Sequence, residues 1–133
     1  MLLTLADARR YADAAIAAAG AQNLRVAVAV VDEAGQLLQL DRMDGALLMG
    51  PDVALAKAVT ALNFQRPTSS VAELARGHPD LVRSLQQAVR FPITAAGGGV
   101  PIARNGTVVG AIGVSGSTAE QDEALAQAAL GGV

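Results

Sequence analysis

Val26-Ala27-Val28-Ala29-Val30-Val31, running into Asp32-Glu33-Ala34-Gly35, is the stretch on which the fold turns. Six consecutive apolar residues, half of them or more β-branched, are too short for a helix of ordinary length. They suit a central strand buried on both faces. The Asp-Glu-Ala-Gly that follows is a turn signal. Residues 36–42 then predict a second strand, returning antiparallel to the first through a short hairpin.

Working outward, residues 4–19 place Leu5, Ala8, Ala12, Ala15, Ile16 and Ala19 on one helical face. Thr4 is the expected N-cap, Asp7 suits the positive end of the helix dipole, and Gly20 is the expected stop. Downstream, residues 43–50 predict a loop. Pro51 and Asp52 open a helix that runs to about Gln65, with Leu55, Ala58, Val59 and Leu62 as its expected buried stripe. Pro67 ends it, because the residue before a proline avoids helical geometry. Residues 70–75 and 80–89 read as short helical pieces around Gly77-His78-Pro79.

The C-terminal third repeats the hairpin theme. Gly97-Gly98-Gly99 leads into an expected strand at 100–104, and residues 107–115 form the return strand. Between them Asn105-Gly106 signals a type I′ turn, which needs positive φ at both central residues. Gly110 and Gly113 inside the return strand point to another backbone packed closely there. Thr118-Ala119-Glu120-Gln121 has the form of a capping box and opens the last helix. The order α-β-β-α-(α)-β-β-α predicts one α+β domain over residues 1–133: a mainly antiparallel sheet with helices packed on it.

Composition narrows the function. Lys and Arg number 10 against 12 Asp and Glu, for a net charge of −2. That is not the basic footprint of a nucleic-acid binder. No apolar run approaches the length that spans a bilayer, so no membrane partner is expected. The absence of cysteine excludes thiolate catalysis, disulfides and Cys-ligated metals. With no basic-then-apolar opening segment, a cytoplasmic protein without a signal peptide is expected. Hydrophobic residues make up 52% and aromatics only 2%, namely Tyr11, Phe64 and Phe91. The core is therefore built of small and branched side chains, and flat cofactors find few aromatic walls.

Several blocks in order carry a family resemblance. They are Val30-Val31-Asp32-Glu33-Ala34-Gly35, Arg42-Met43-Asp44-Gly45-Ala46, Ala56-Lys57-Ala58 with Thr60-Ala61, Gly97-Gly98-Gly99-Val100-Pro101-Ile102, and the stretch from Gly110 to Gly116 followed by Asp122-Glu123. Across nearly its whole length the chain resembles the HbpS/GlcG-like family, which includes the C-terminal domain of PduO-type proteins. The resemblance implies a profilin-like fold, a homo-oligomer, often an octamer, and a small ligand held at a subunit seam. Heme binding and corrinoid handling are among the roles it implies. Heme iron takes axial His, Met, Cys or Tyr, and here the candidates are His78, Met1, Met43, Met49 and Tyr11.

The candidate ligand-binding residues are Arg42, Asp44, Lys57, His78, Gly97, Gly98, Gly99 and Ser115, and each has a plain structural reading beside the functional one. Arg42 suits an anionic group with Asp44 orienting it; the two also make an ordinary pair at a strand end. Lys57 flanks the apolar stripe of its helix and either reaches a pocket or subunit partner or runs out to water. Gly97-Gly98-Gly99 admits a ligand close to backbone, or is a bulge. It is no P-loop, since no Gly-Lys-Ser/Thr follows, and it opens a strand rather than the helix of a dinucleotide fingerprint. Ser115 precedes a helix N-terminus, a natural anion site, but Glu120, Asp122 and Glu123 crowd that end. His78 is the sole imidazole, the one side chain whose ordinary pKa lies near neutrality. No acid–base–nucleophile set is visible. A small-ligand-binding oligomer is therefore the leading expectation. A small accessory enzyme acting on a catabolic intermediate in the same pocket, and a structural oligomer without ligand, are the alternatives.

Overall fold

A computed structural model describes residues 2–132. Among these, the elements in chain order are α1 (Leu5–Ala21), β1 (Ala27–Asp32), β2 (Leu37–Arg42), α2 (Gly50–Phe64), α3 (Thr68–Gly77), α4 (Pro79–Ala88), β3 (Gly99–Arg104), β4 (Thr107–Ser115) and α5 (Ala119–Gly131). The strands form one antiparallel sheet in the order β2-β1-β4-β3. The α+β architecture expected from the sequence is present, and the helical stretch after α2 is two helices that meet at His78. No helix among the described residues is long and apolar enough to cross a membrane.

The strand that opened the sequence reading is the centre of the molecule. Val26 through Val31 are all fully buried. Alternation divides them between two layers. Val26, Val28 and Val30 face α1 and α5, together with Val100, Ile102, Ile112 and Val114. Ala27, Ala29 and Val31 face α2, with Ala111. Burying each of these valines contributes roughly 1.5–3 kcal/mol. The alanine-rich α1 and α5 pack on one another, with Ala12, Ala15, Ala19, Ala126 and Ala129 in the same core. Those alanines are thus covered within the subunit and need no second copy to bury them.

The buried stripe of α2 differs from expectation. Ala54, Lys57, Ala58, Thr60 and Ala61 are buried, whereas Leu55, Val59 and Leu62 are half-buried at the flank. The helix is turned by one residue, about 100°, from the stripe of largest side chains. The cause lies in β4: a Cβ on Gly113 would stand 2.0 Å from the Ala54 carbonyl oxygen and 2.7 Å from the Ala58 amide nitrogen. The backbone of α2 rests directly on that of the sheet, and only small residues fit between. Gly110 is likewise obligatory, its missing Cβ lying 2.3 Å from the Val31 carbonyl.

Most local signals hold. Thr4 and Thr118 cap α1 and α5 in full capping boxes. Asn105 and Gly106 have φ of 53° and 79°, as a type I′ turn requires. Gly20, however, does not stop α1. The helix continues to Ala21, and Asn23 takes the left-handed conformation at φ 57° while the Leu24 amide donates to the Ala19 carbonyl. Asparagine tolerates that region better than other side chains.

Candidate functional site

A cleft of about 580 Å³ lies between α3 and α5 over the segment that enters β3. Ala95, Ala96 and Gly97 line it beside Ala72 and Ala119, and its polar groups are Ser69, Glu73, Arg76, Glu120, Glu123 and Gln127. One contact organises it. The N-terminus of α3 has no side-chain cap of its own, since Pro67 stands at the N-cap. Glu123 from α5 supplies the missing acceptor: its Oε1 accepts from the Ser69 amide at 3.1 Å and its Oε2 from the Ser69 hydroxyl at 2.6 Å. A carboxylate at a helix N-terminus also meets the favourable end of the dipole. Glu73 and Arg76 project from one face of α3, and Glu120 and Glu123 from one face of α5, each pair at i,i+3 spacing.

Behind the cleft floor sits a buried ion pair. Lys57 Nζ donates to Asp122 Oδ2 and to the Val114 carbonyl, each at 3.1 Å. Asp122 Oδ1 accepts from the Ser117 amide at 2.9 Å. Lysine and aspartate are 5% and 1% exposed. This answers where the lysine goes: neither to solvent nor into the cleft, but inward onto the first turn of α5. Gly98 makes room for it. With φ at +136°, a side chain here would put Cβ 2.8 Å from Lys57 Nζ and 2.5 Å from the Val114 carbonyl oxygen. Gly99 is held as tightly, its Cβ position 2.2 Å from the Lys57 carbonyl, and its amide donates to Thr68 Oγ1 at 2.8 Å.

The residues singled out in the sequence thus fall in three places. Lys57, Gly97, Gly98, Gly99 and Ser115 gather around the start of α5, with Gly97 lining the cleft and buried Ser115 beside Val114 at the end of β4. Arg42 and Asp44 line a separate cup of about 420 Å³ with Ile16, Arg25 and Met43. His78 is exposed at the junction of α3 and α4, between the two helices it terminates. One pocket joining Arg42, Asp44, Lys57 and His78 does not form, because β1 and β4 lie between β2 and the β3 edge. Ser69, Glu73, Arg76 and Arg25 were missed by the sequence reading. They lie in surface helices or beside strands where charged residues are ordinary. Glu123 was read only as a helix-end charge; its position beside the capping box was its one signal.

Heme can be tested against these residues. None of His, Met, Cys or Tyr is among the residues lining the α3–α5 cleft. Tyr11 is buried in the core, and its hydroxyl, followed by the Asp7 carboxylate, holds the Arg104 guanidinium above its ordinary pKa. Met43 turns its sulfur onto the Val26 amide at 3.4 Å. Met49 and His78 are exposed, and Met1 lies outside the described residues. The residues of the cleft do not fit a heme iron.

The layered α+β fold is that of a known class. Residues 3–131 match the family model described as haem degrading protein HbpS-like, and the chain belongs to this family. It is 40% identical over 96% of its length to an uncharacterized 15.0 kDa protein from the dhaT-dhaS intergenic region of Citrobacter freundii, covering 89% of that protein. It is 29% identical over 98% of its length to the corrinoid adenosyltransferase PduO of Salmonella typhimurium, of which it spans 39%. Its structure is similar to that of the PduOC:heme complex, with a TM-score of 0.90 and 28% identity, covering all of this chain and 96% of the other.

Proposed function

We propose that the chain is a small-ligand-binding protein that receives a polar metabolite, rich in hydrogen-bond donors, in the α3–α5 cleft. The observation that carries this reading is the Glu123 carboxylate, fixed by both the amide and the hydroxyl of Ser69, at the wall of a cleft of about 580 Å³. Ligand pockets commonly enclose roughly 300–1,000 Å³ and combine apolar walls with a few placed polar groups. Glu73, Glu120 and Glu123 against Arg76 give the cleft a negative balance, which favours hydroxyl or ammonium groups over carboxylates. An accessory enzyme would need a free general base here. Ser69 engages both oxygens of Glu123. The other two carboxylates, Glu73 and Glu120, are exposed on helix faces, with nothing among the described residues that positions them as a base, so binding ranks ahead of catalysis.

Assembly belongs to the same reading. Leu37, Leu40, Leu47, Leu48 and Met49 are all more than a third exposed, Leu48 at 86%. Large apolar side chains exposed in such number over one stretch of chain are ordinarily covered by a partner, and a second copy of this chain is the partner the family resemblance implies. A cytoplasmic location belongs to the same reading, and the lack of cysteine is compatible with it.

Heme is the second reading, favoured by the heme complex of the PduOC relative and by the exposure of His78 and Met49. A heme on this chain would be ligated from the subunit surface, at a seam between copies. Native mass spectrometry of the purified protein, before and after heme addition, tests all three points. An oligomer that retains a small molecule and ignores heme is the expected result. A stoichiometric heme adduct that His78→Ala abolishes would replace the first reading with the second. A monomer at micromolar concentration in light scattering would remove the assembly.

A further inference from the structure

The loop after β2 borders a second cup, lined by two arginines and one carboxylate. Arg25 stands just ahead of β1 and Arg42 ends β2. In the antiparallel pairing Ala27 lies opposite Arg42, so both arginines come to the same end of the sheet and line one cup of about 420 Å³. Each is aimed by a carbonyl of the same loop. Arg25 Nη1 donates to the Asp44 carbonyl at 2.8 Å, and Arg42 Nη1 to the Ala46 carbonyl at 3.1 Å. Gly45, at φ +83°, leaves the space that the first guanidinium needs: a Cβ there would be 3.1 Å from Arg25 Nη1. Met43 pins the loop to the strand, its amide donating to the Val26 carbonyl at 3.0 Å and its sulfur accepting the Val26 amide.

Two guanidiniums lining one cup repel, and a carboxylate between them would be the usual remedy. Among the described residues, the ion pairs join Asp7, Asp80 and Asp122 to Arg10, Arg104, Arg83 and Lys57; neither Arg25 nor Arg42 takes part. Asp44 lines the cup, yet its carboxylate pairs with neither arginine. Each planar guanidinium uses one donor on the loop and keeps others for a ligand. Both arginines are exposed, so a ligand reaches them from solvent, and Ile16 supplies an apolar wall.

We propose that this cup binds a small oxyanion, carboxylate or phosphate, gripped jointly by Arg25 and Arg42. Asp44 at the rim then accepts from a donor group on the same molecule. The site is distinct from the negative α3–α5 cleft and stands whether or not that cleft holds a ligand. Inorganic phosphate and acetate are the probes, titrated into the labelled protein while the Gly45 amide and Met43 methyl signals are followed by NMR. Saturable shifts at those positions are expected, weakening with added salt. Arg42→Gln or Arg25→Gln weakens the titration by about tenfold, the worth of one charge-assisted hydrogen bond. Arg25→Lys, which keeps the charge, serves where Arg25→Gln does not fold. Arg9→Gln, on the exposed face of α1, leaves the titration unchanged. A response to phosphate alone or to acetate alone identifies which oxyanion the cup takes. No saturable shift at tens of millimolar of either, or an equal loss in Arg9→Gln, overturns the proposal.

Discussion

Lys57 Nζ lies 3.1 Å from Asp122 Oδ2, both almost wholly buried, and this one contact fastens α2 to the first turn of α5. Removing one partner strands the other charge away from water. Lys57→Met is expected to destabilise the fold by about 3–5 kcal/mol. Lys57→Met with Asp122→Leu should cost clearly less than the two single changes added together, since no lone charge then stays inside. Chemical denaturation of the four proteins measures the coupling, and strict additivity would show that the pair does not act as a unit.

Two glycines should respond oppositely to alanine. At Gly98, φ is +136° and the new Cβ would sit 2.5 Å from the Val114 carbonyl oxygen, so Gly98→Ala should cost at least about 1–3 kcal/mol. Gly20 lies within α1 with nothing inside 4 Å of its Cβ position. There alanine restores helix propensity and should add about 0.5–1 kcal/mol. Thermal melts of both variants decide it; a destabilised Gly20→Ala would contradict the account of where α1 ends.

Acid sensitivity should trace partly to Asp7. The Thr4 amide, then the Thr4 hydroxyl and Arg104, hold its carboxyl at about 2 against an ordinary 3.8, outweighing the opposing effect of partial burial. A folded value below the unfolded one stabilises the protein above about pH 4 and loses that contribution as pH falls toward the folded value. Melting temperatures of the wild type and Asp7→Asn should therefore differ near neutrality and converge toward about pH 2. A gap that stays constant across the acid range would mean that Asp7 acts without titrating.

The elements were legible because backbone demands leave strong local marks. Val26–Val31, Asn105-Gly106 and the Thr118 capping box could hardly serve another purpose, and each appears where expected. The face of α2 was not legible, because the rule that the largest apolar side chains turn inward fails where the floor is Gly113 and Ala111. The site was legible only in pieces. Gly98 and Lys57 were both singled out, but that one exists to accommodate the other is a three-dimensional fact. Glu123 reaching Ser69 spans 54 positions in sequence, and no periodicity reports such a meeting. Arg42 and Asp44 stood out as a pair, yet the second guanidinium beside them comes from Arg25, brought in by strand register.

The way α2 lies on its floor has a mechanical result. Ordinary helix layers are lubricated by side chains, whose rotamers let a helix slide or tilt a little without breaking contact. At Gly113 α2 meets β4 main chain against main chain, with only alanines beside that contact, and the one long side chain across the seam, Lys57, is fixed at both Val114 and Asp122. Close-packed interiors of this kind yield little. The α2 layer thus behaves as the stiff keel of the molecule, and heat or strain should loosen the α1–α5 deck and the α3–α4 hairpin before it shifts α2.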